Sequence, residues 1–166
     1  MFKTVFRFEL KYWLKNISVY VYSAGIFLIA LVSMAGEAGI FGEGSSGSNI
    51  ANSPLSLYSF VDFFCKRMMI LLPAITGYSV YRDYKDNVQS VLFSYPVSKI
   101  SYLAGKFLSS FLIVLIIGLF FIFGLIAGTL IPGVDNNLIV AFDPVVYFQL
   151  YFLFVYVLVL NYSTLY

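Results

Sequence analysis

Histidine is absent from this 166-residue chain, and cysteine occurs once, at Cys65. The first absence removes the commonest general base and the commonest zinc ligand. The second excludes an internal disulfide and a cysteine-built metal centre. Charge is scarce as well: 11% of residues are charged and 61% are hydrophobic, whereas about a quarter of the residues in soluble domains are charged. The scarcity is also segmental. Residues 16–36, 68–81, 107–134 and 144–166 contain no Asp, Glu, Lys or Arg. A helix needs roughly 20 apolar residues to cross a hydrocarbon core of about 30 Å. Three of these stretches reach that length alone, and the second reaches it once residues 60–67 are added. The expected fold is all-α integral membrane: four transmembrane helices at 17–35, 60–81, 107–131 and 144–166, forming one membrane domain over residues 1–166.

The few charges are sorted by sign. Lys3, Arg7, Lys11 and Lys15 precede the first span, and Arg82, Lys85, Lys99 and Lys106 lie between the second and third. Residues 37–58 and 132–143 carry only Glu37, Glu43, Asp135 and Asp143. Basic residues stay on the cytoplasmic side, so both termini and the loop 82–106 are expected there, in a multi-pass protein of the inner (plasma) membrane. The first apolar run is as long as a span, and no small-residue cleavage site follows it, so it does not read as a removable signal.

Residues 1–15 read as an interfacial helix. At about 100° per residue, Lys3, Arg7, Lys11 and Lys15 fill one arc of about 120°, with aromatic and aliphatic residues over most of the rest. Lys3, Arg7, Lys11, Trp13 and Lys15 are therefore the expected membrane-interface residues. The plainer reading is a positive flank to the first span. Glu9 falls inside the apolar arc, where a carboxylate needs a partner: either an Arg or Lys elsewhere in the bundle or an i, i+4 contact on the surface of its own helix.

The second span brings in Asp62, Lys66 and Arg67. Residues 68–81 alone give about 21 Å of helix, too short to cross. Starting at residue 60 places the three charges within about two turns of the outer end, where long basic side chains can snorkel. Asp62 and Lys66 are also spaced to pair. They stand either at the outer mouth of a substrate path or as interfacial anchors. In the third span Gly124 and Gly128 form a GxxxG pattern that allows close helix approach, and Pro132-Gly133 stops the helix. Asp143-Pro144 supplies a cap and a first-turn proline for the fourth. The Gly- and Ser-rich segment 36–48 lacks the composition for a fixed core. The fourth helix has only reached Tyr166 when the sequence stops, so the chain is expected to be part of a longer one.

Within the loop 82–106, Tyr84, Val88, Val91, Leu92 and Tyr95 recur on one helical face and Pro96 ends the run. The carrying residues of a family resemblance lie here: Tyr81-Arg82-Asp83-Tyr84-Lys85-Asp86, then Val91-Leu92-Phe93-Ser94-Tyr95-Pro96-Val97-Ser98-Lys99, then Tyr102-Leu103-Ala104-Gly105-Lys106-Phe107. With Phe6-Arg7-Phe8-Glu9-Leu10-Lys11 before the first span, they resemble the permease subunits of type-two ATP-binding-cassette (ABC) transporters. That resemblance implies a cytoplasmic coupling helix docking on a separate nucleotide-binding ATPase subunit, with Asp83, Tyr84, Asp86, Val88, Val91, Leu92 and Tyr95 as the coupling residues. It also implies a second permease copy and export driven by ATP and Mg on the partner, with no cofactor held by this chain. The family usually has six spans per permease domain, so four would be its N-terminal part. No phosphate-binding loop is present: Gly105-Lys106 has Ile100 where the first glycine belongs and Phe107 where Ser or Thr belongs.

Two other classes compete. An intramembrane enzyme needs clustered polar groups at depth, and the spans offer only Asp62, Lys66, Arg67 and scattered hydroxyls; no catalytic or metal residues are assigned. A membrane scaffold or assembly subunit would bind partners without moving solute. Nucleic acid is not an expected partner, and the lipid bilayer is.

Overall fold

The computed structural model describes residues 2–40, 50–85, 99–133 and 136–164. These form five α-helices with no strand among the described residues: α1 (Phe2–Lys15), α2 (Ile17–Glu37), α3 (Pro54–Lys85), α4 (Lys99–Thr129) and α5 (Pro144–Thr164), plus a 3-10 turn at Asn136–Leu138. Of these, α2 and α4 are long and apolar enough to cross a membrane.

Local chemistry sets the helix ends. Asn16, in extended conformation, separates α1 from α2, and its Oδ1 accepts from Ser18 N–H at 3.0 Å. It thereby satisfies one of the donors a helix start leaves open. At the other end of α2, Gly39 takes a positive φ of 88°. Its N–H donates to Gly36 O at 3.1 Å, and Ile40 N–H donates to Ala35 O at 3.2 Å. This is the paired C-terminal closure that a left-handed glycine permits. The Ser53 hydroxyl accepts from Ser56 N–H before the first-turn Pro54 of α3. Asp143 Oδ1 accepts from Val145 N–H at 2.9 Å around the first-turn Pro144 of α5, as its sequence predicts.

Two helices run past their apolar stretches. α3 begins at Pro54 instead of residue 60 and continues to Lys85, while α4 begins at Lys99, eight residues before its charge-free run. Charged residues do not end a helix; caps, Gly and Pro do. The loop expected at 82–106 is therefore helical at both ends, and only 86–98 of it lie outside the described residues. The Gly/Ser segment 41–49 also lies outside them.

α4 is the central helix and packs against α1, α2, α3 and α5. Its glycines explain how. A Cβ on Gly124 would stand 2.6 Å from Phe27 O and 2.8 Å from Ala30 Cβ, and one on Gly128 would stand 2.7 Å from Met34 Cβ. The GxxxG pattern thus presses α4 onto α2, running parallel to it. A Cβ on Gly118 would run into the Phe154 ring of α5. Phe64 of α3 stacks on Phe121 at 4.0 Å between centroids and lies 5.6 Å from Phe154. Three helices therefore interlock through one aromatic layer. At the end of the bundle where α3 and α5 start, Asn52 locks two segments together: Nδ2 donates to Val140 O and Oδ1 accepts from Val140 N–H, each at 2.7 Å. Ala51 N–H donates to Leu138 O beside it, also at 2.7 Å.

Candidate functional site: a buried ion cluster

α1 carries its cations along the exposed edge: Lys3, Arg7, Lys11 and Lys15 are all exposed, while Glu9 and Trp13 are buried. The amphipathic split read from the sequence is therefore present, with part of the apolar arc turned onto α4. Gly105 makes the approach possible, since a Cβ there would stand 3.1 Å from Val5 Cγ1 and 3.4 Å from the Phe6 backbone nitrogen.

That approach seats Glu9 among two cations. Glu9 is 2% exposed, Lys106 3% and Arg82 9%. Arg82 Nη2 donates to Glu9 Oε1 at 2.8 Å, and Lys106 Nζ stands 3.3 Å from the same oxygen. The Arg82 guanidinium also lies over the Tyr12 ring, 3.8 Å from its centroid. One turn further along each helix, Trp13 meets Tyr78 edge-on at 6.3 Å. Two pairs spaced by four residues, Glu9/Trp13 on α1 and Tyr78/Arg82 on α3, thus face each other. The next turn of α4 stays polar but self-satisfied: the Ser109 and Ser110 hydroxyls donate to Lys106 O at 2.8 and 3.0 Å.

Burial alone would lower the pKa of Arg82, but the Glu9 carboxylate and the Tyr12 hydroxyl outweigh it and hold it above its ordinary value. Arg82 therefore remains charged at every working pH. A buried ion pair is tolerated when its partners are well placed, and it is costly to break from one side. The cluster consequently couples three elements: α1, the last turn of α3 and the second turn of α4. The latter two flank residues 86–98.

The expected interface residues Lys3, Arg7, Lys11 and Lys15 share one exposed edge, whereas Trp13 lies in the core against Tyr78. Asp83 and Tyr84 fall in the last turn of α3, and Asp86, Val88, Val91, Leu92 and Tyr95 lie outside the described residues. Asp62 and Lys66 pair as their spacing predicts, at 2.6 Å, with side chains 64% and 71% exposed. Arg67 places its guanidinium over the Phe63 ring, 3.1 Å from the centroid, and Nη1 donates to Phe63 O at 3.2 Å. Among the described residues, no group of three or more His, Cys, Asp or Glu is placed to hold a metal ion.

Sequence reading identified Glu9 as a charge needing a partner, but it counted Arg82 and Lys106 as loop cations. The available signal was the apolar company of Lys106, between Gly105 and Phe107 at the head of a long apolar run. No protein-family model, curated protein or solved structure matches this chain.

Proposed function

We propose that this chain is the membrane-spanning permease component of an ATP-driven ABC-type exporter of the inner membrane. In this reading α2, α3, α4 and α5 cross the bilayer, both ends and residues 86–98 face the cytoplasm, and a separate subunit binds and hydrolyses ATP with Mg. A second permease copy completes the path. The observation that carries the reading is the Glu9–Arg82–Lys106 cluster. It ties the amphipathic α1 to both helix ends that flank residues 86–98. A push delivered there by an ATPase would move α1, α3 and α4 as a unit instead of bending a loose connection. The sorted charges and the resemblance across residues 81–107 support the same orientation and partner.

The test is co-purification. A tagged chain expressed in its native host should bring down ATP-hydrolysing activity, and L92D/Y95D should abolish it while leaving the yield of folded chain unchanged. Retained activity would remove the coupling role of that face. If no ATPase activity accompanies the wild-type chain, the scaffold or assembly reading takes its place.

A further inference from the structure

Four cations of α1 have no carboxylate beside them. Lys3, Arg7, Lys11 and Lys15 are exposed, and none of them pairs with an acidic side chain among the described residues. The helix holds one acidic residue, Glu9, and Arg82 and Lys106 neutralise it from the bundle side. At 100° per residue the four cations are centred about 180° from Glu9 around the helix. They also follow one another at i, i+4 spacing, where like charges repel. The row therefore weakens the isolated helix, and an anionic partner offsets that repulsion.

Level and composition identify the partner. α1 packs onto α4 at Gly105 and Lys106, immediately before the charge-free run that opens at Phe107. In the four-span reading above, hydrocarbon gives way to headgroups at that level. Phe8 and Leu14, 67% and 42% exposed, stand among or beside the cations. The Tyr20 hydroxyl of α2 donates to Leu14 O at 2.8 Å and steadies the corner between the two helices. Exposed apolar side chains interleaved with Lys and Arg suit a boundary that is oily on one side and charged on the other. A purely acidic polymer offers Phe8 nothing to bury against.

We propose that Lys3, Arg7, Lys11 and Lys15 bind the phosphates of anionic phospholipids in the cytoplasmic leaflet, with Phe8 seated in the acyl boundary. The inference rests on the membrane-spanning reading and adds the class of lipid that α1 selects. Long basic side chains on one edge reach a layer of phosphates through charge-assisted hydrogen bonds. Each contributes about fivefold to association with an anionic surface. Because Glu9 fastens the opposite face to Arg82 and Lys106, headgroups grip α1 on one side and the bundle grips it on the other. A change in the anionic lipid content of the leaflet is then felt at the ends of α3 and α4 that flank residues 86–98.

The chain has a single tryptophan, Trp13, on the same helix as the row, so its emission reports the lipids around α1. The chain is reconstituted in phosphatidylcholine vesicles with increasing fractions of brominated phosphatidylglycerol or, in parallel, brominated phosphatidylcholine. Quenching should show a preference for phosphatidylglycerol of about fivefold or more, and about 1 M salt should weaken it. K3Q/R7Q/K11Q/K15Q should erase the preference, with an unchanged Trp13 emission maximum in phosphatidylcholine as the sign of an intact fold. K85Q, which removes an exposed cation of α3 outside the row, should keep it. Equal quenching of the wild-type chain by the two lipids overturns the proposal. So does a quadruple variant that keeps the preference, or a K85Q chain that loses it as completely. Excess inorganic phosphate should leave the quenching unchanged; loss of the preference under phosphate would make the row a site for free anions and overturn the lipid assignment. Alkaline extraction separates the two levels of failure. A chain washed off the vesicles overturns the membrane-spanning reading as well, whereas a chain that stays and shows no preference overturns the lipid assignment alone.

Discussion

Two ion clusters in this chain have nearly the same shortest distance and opposite structural meaning. Glu9 and Arg82 meet at 2.8 Å across 73 residues of sequence, with side chains 3% and 11% exposed. Asp62 and Lys66 meet at 2.6 Å across four residues, with both side chains mostly exposed. The shorter contact holds only one helix turn that would form anyway. The longer one fixes the position of α1 against two other helices. Distance alone ranks them in the wrong order; burial and sequence separation rank them correctly.

The comparison can be broken most sharply at Glu9. E9A leaves Arg82 and Lys106 buried without that carboxylate and should cost about 3–5 kcal/mol, read as a large fall in the thermal midpoint of the detergent-solubilised chain. G105V removes no charge but forces α1 away from α4; overpacking of this kind costs about 1–3 kcal/mol. Combined with E9A it should cost less than the sum, because both act on one junction. R82K keeps the charge but loses the planar fork and its stacking on Tyr12, a loss on the order of 1 kcal/mol. K66Q in the solubilised monomer should change stability by less than about 0.5 kcal/mol. Raising the salt to about 1 M should erase even that difference, while the effect of E9A persists. A K66Q effect as large as that of E9A would show that exposure had been misjudged as a guide to strength.

The residues also show how far sequence reading carries. The amphipathic split of α1, the apolar lengths of α2 and α4, the Asp143-Pro144 start and the Asp62–Lys66 pair all depend on neighbours within one or two turns. Each was legible for that reason. The helices α3 and α4 run past the charge-poor stretches from which their spans were read, because charges belong on a helix that extends past an apolar core. Gly124 and Gly128 announced a close approach, but nothing local named α2 as the partner. The coupling face at Val88, Val91, Leu92 and Tyr95 remains a sequence reading, since it lies outside the described residues.

By itself the sequence determined composition-level and local facts: helices, their caps, two apolar segments long enough for a bilayer, and the sorting of basic from acidic loops. These follow from hydrophobic length, periodicity and backbone chemistry within a few residues. Only the tertiary structure decided that Glu9 finds Arg82 and Lys106, and that Gly105 lets it. It also decided that Asp62, Lys66 and Arg67 lie within about one turn of the layer formed by Phe64, Phe121 and Phe154. Partner and relative level are relations between helices far apart in sequence, set by how side chains interlock, and no local pattern encodes them.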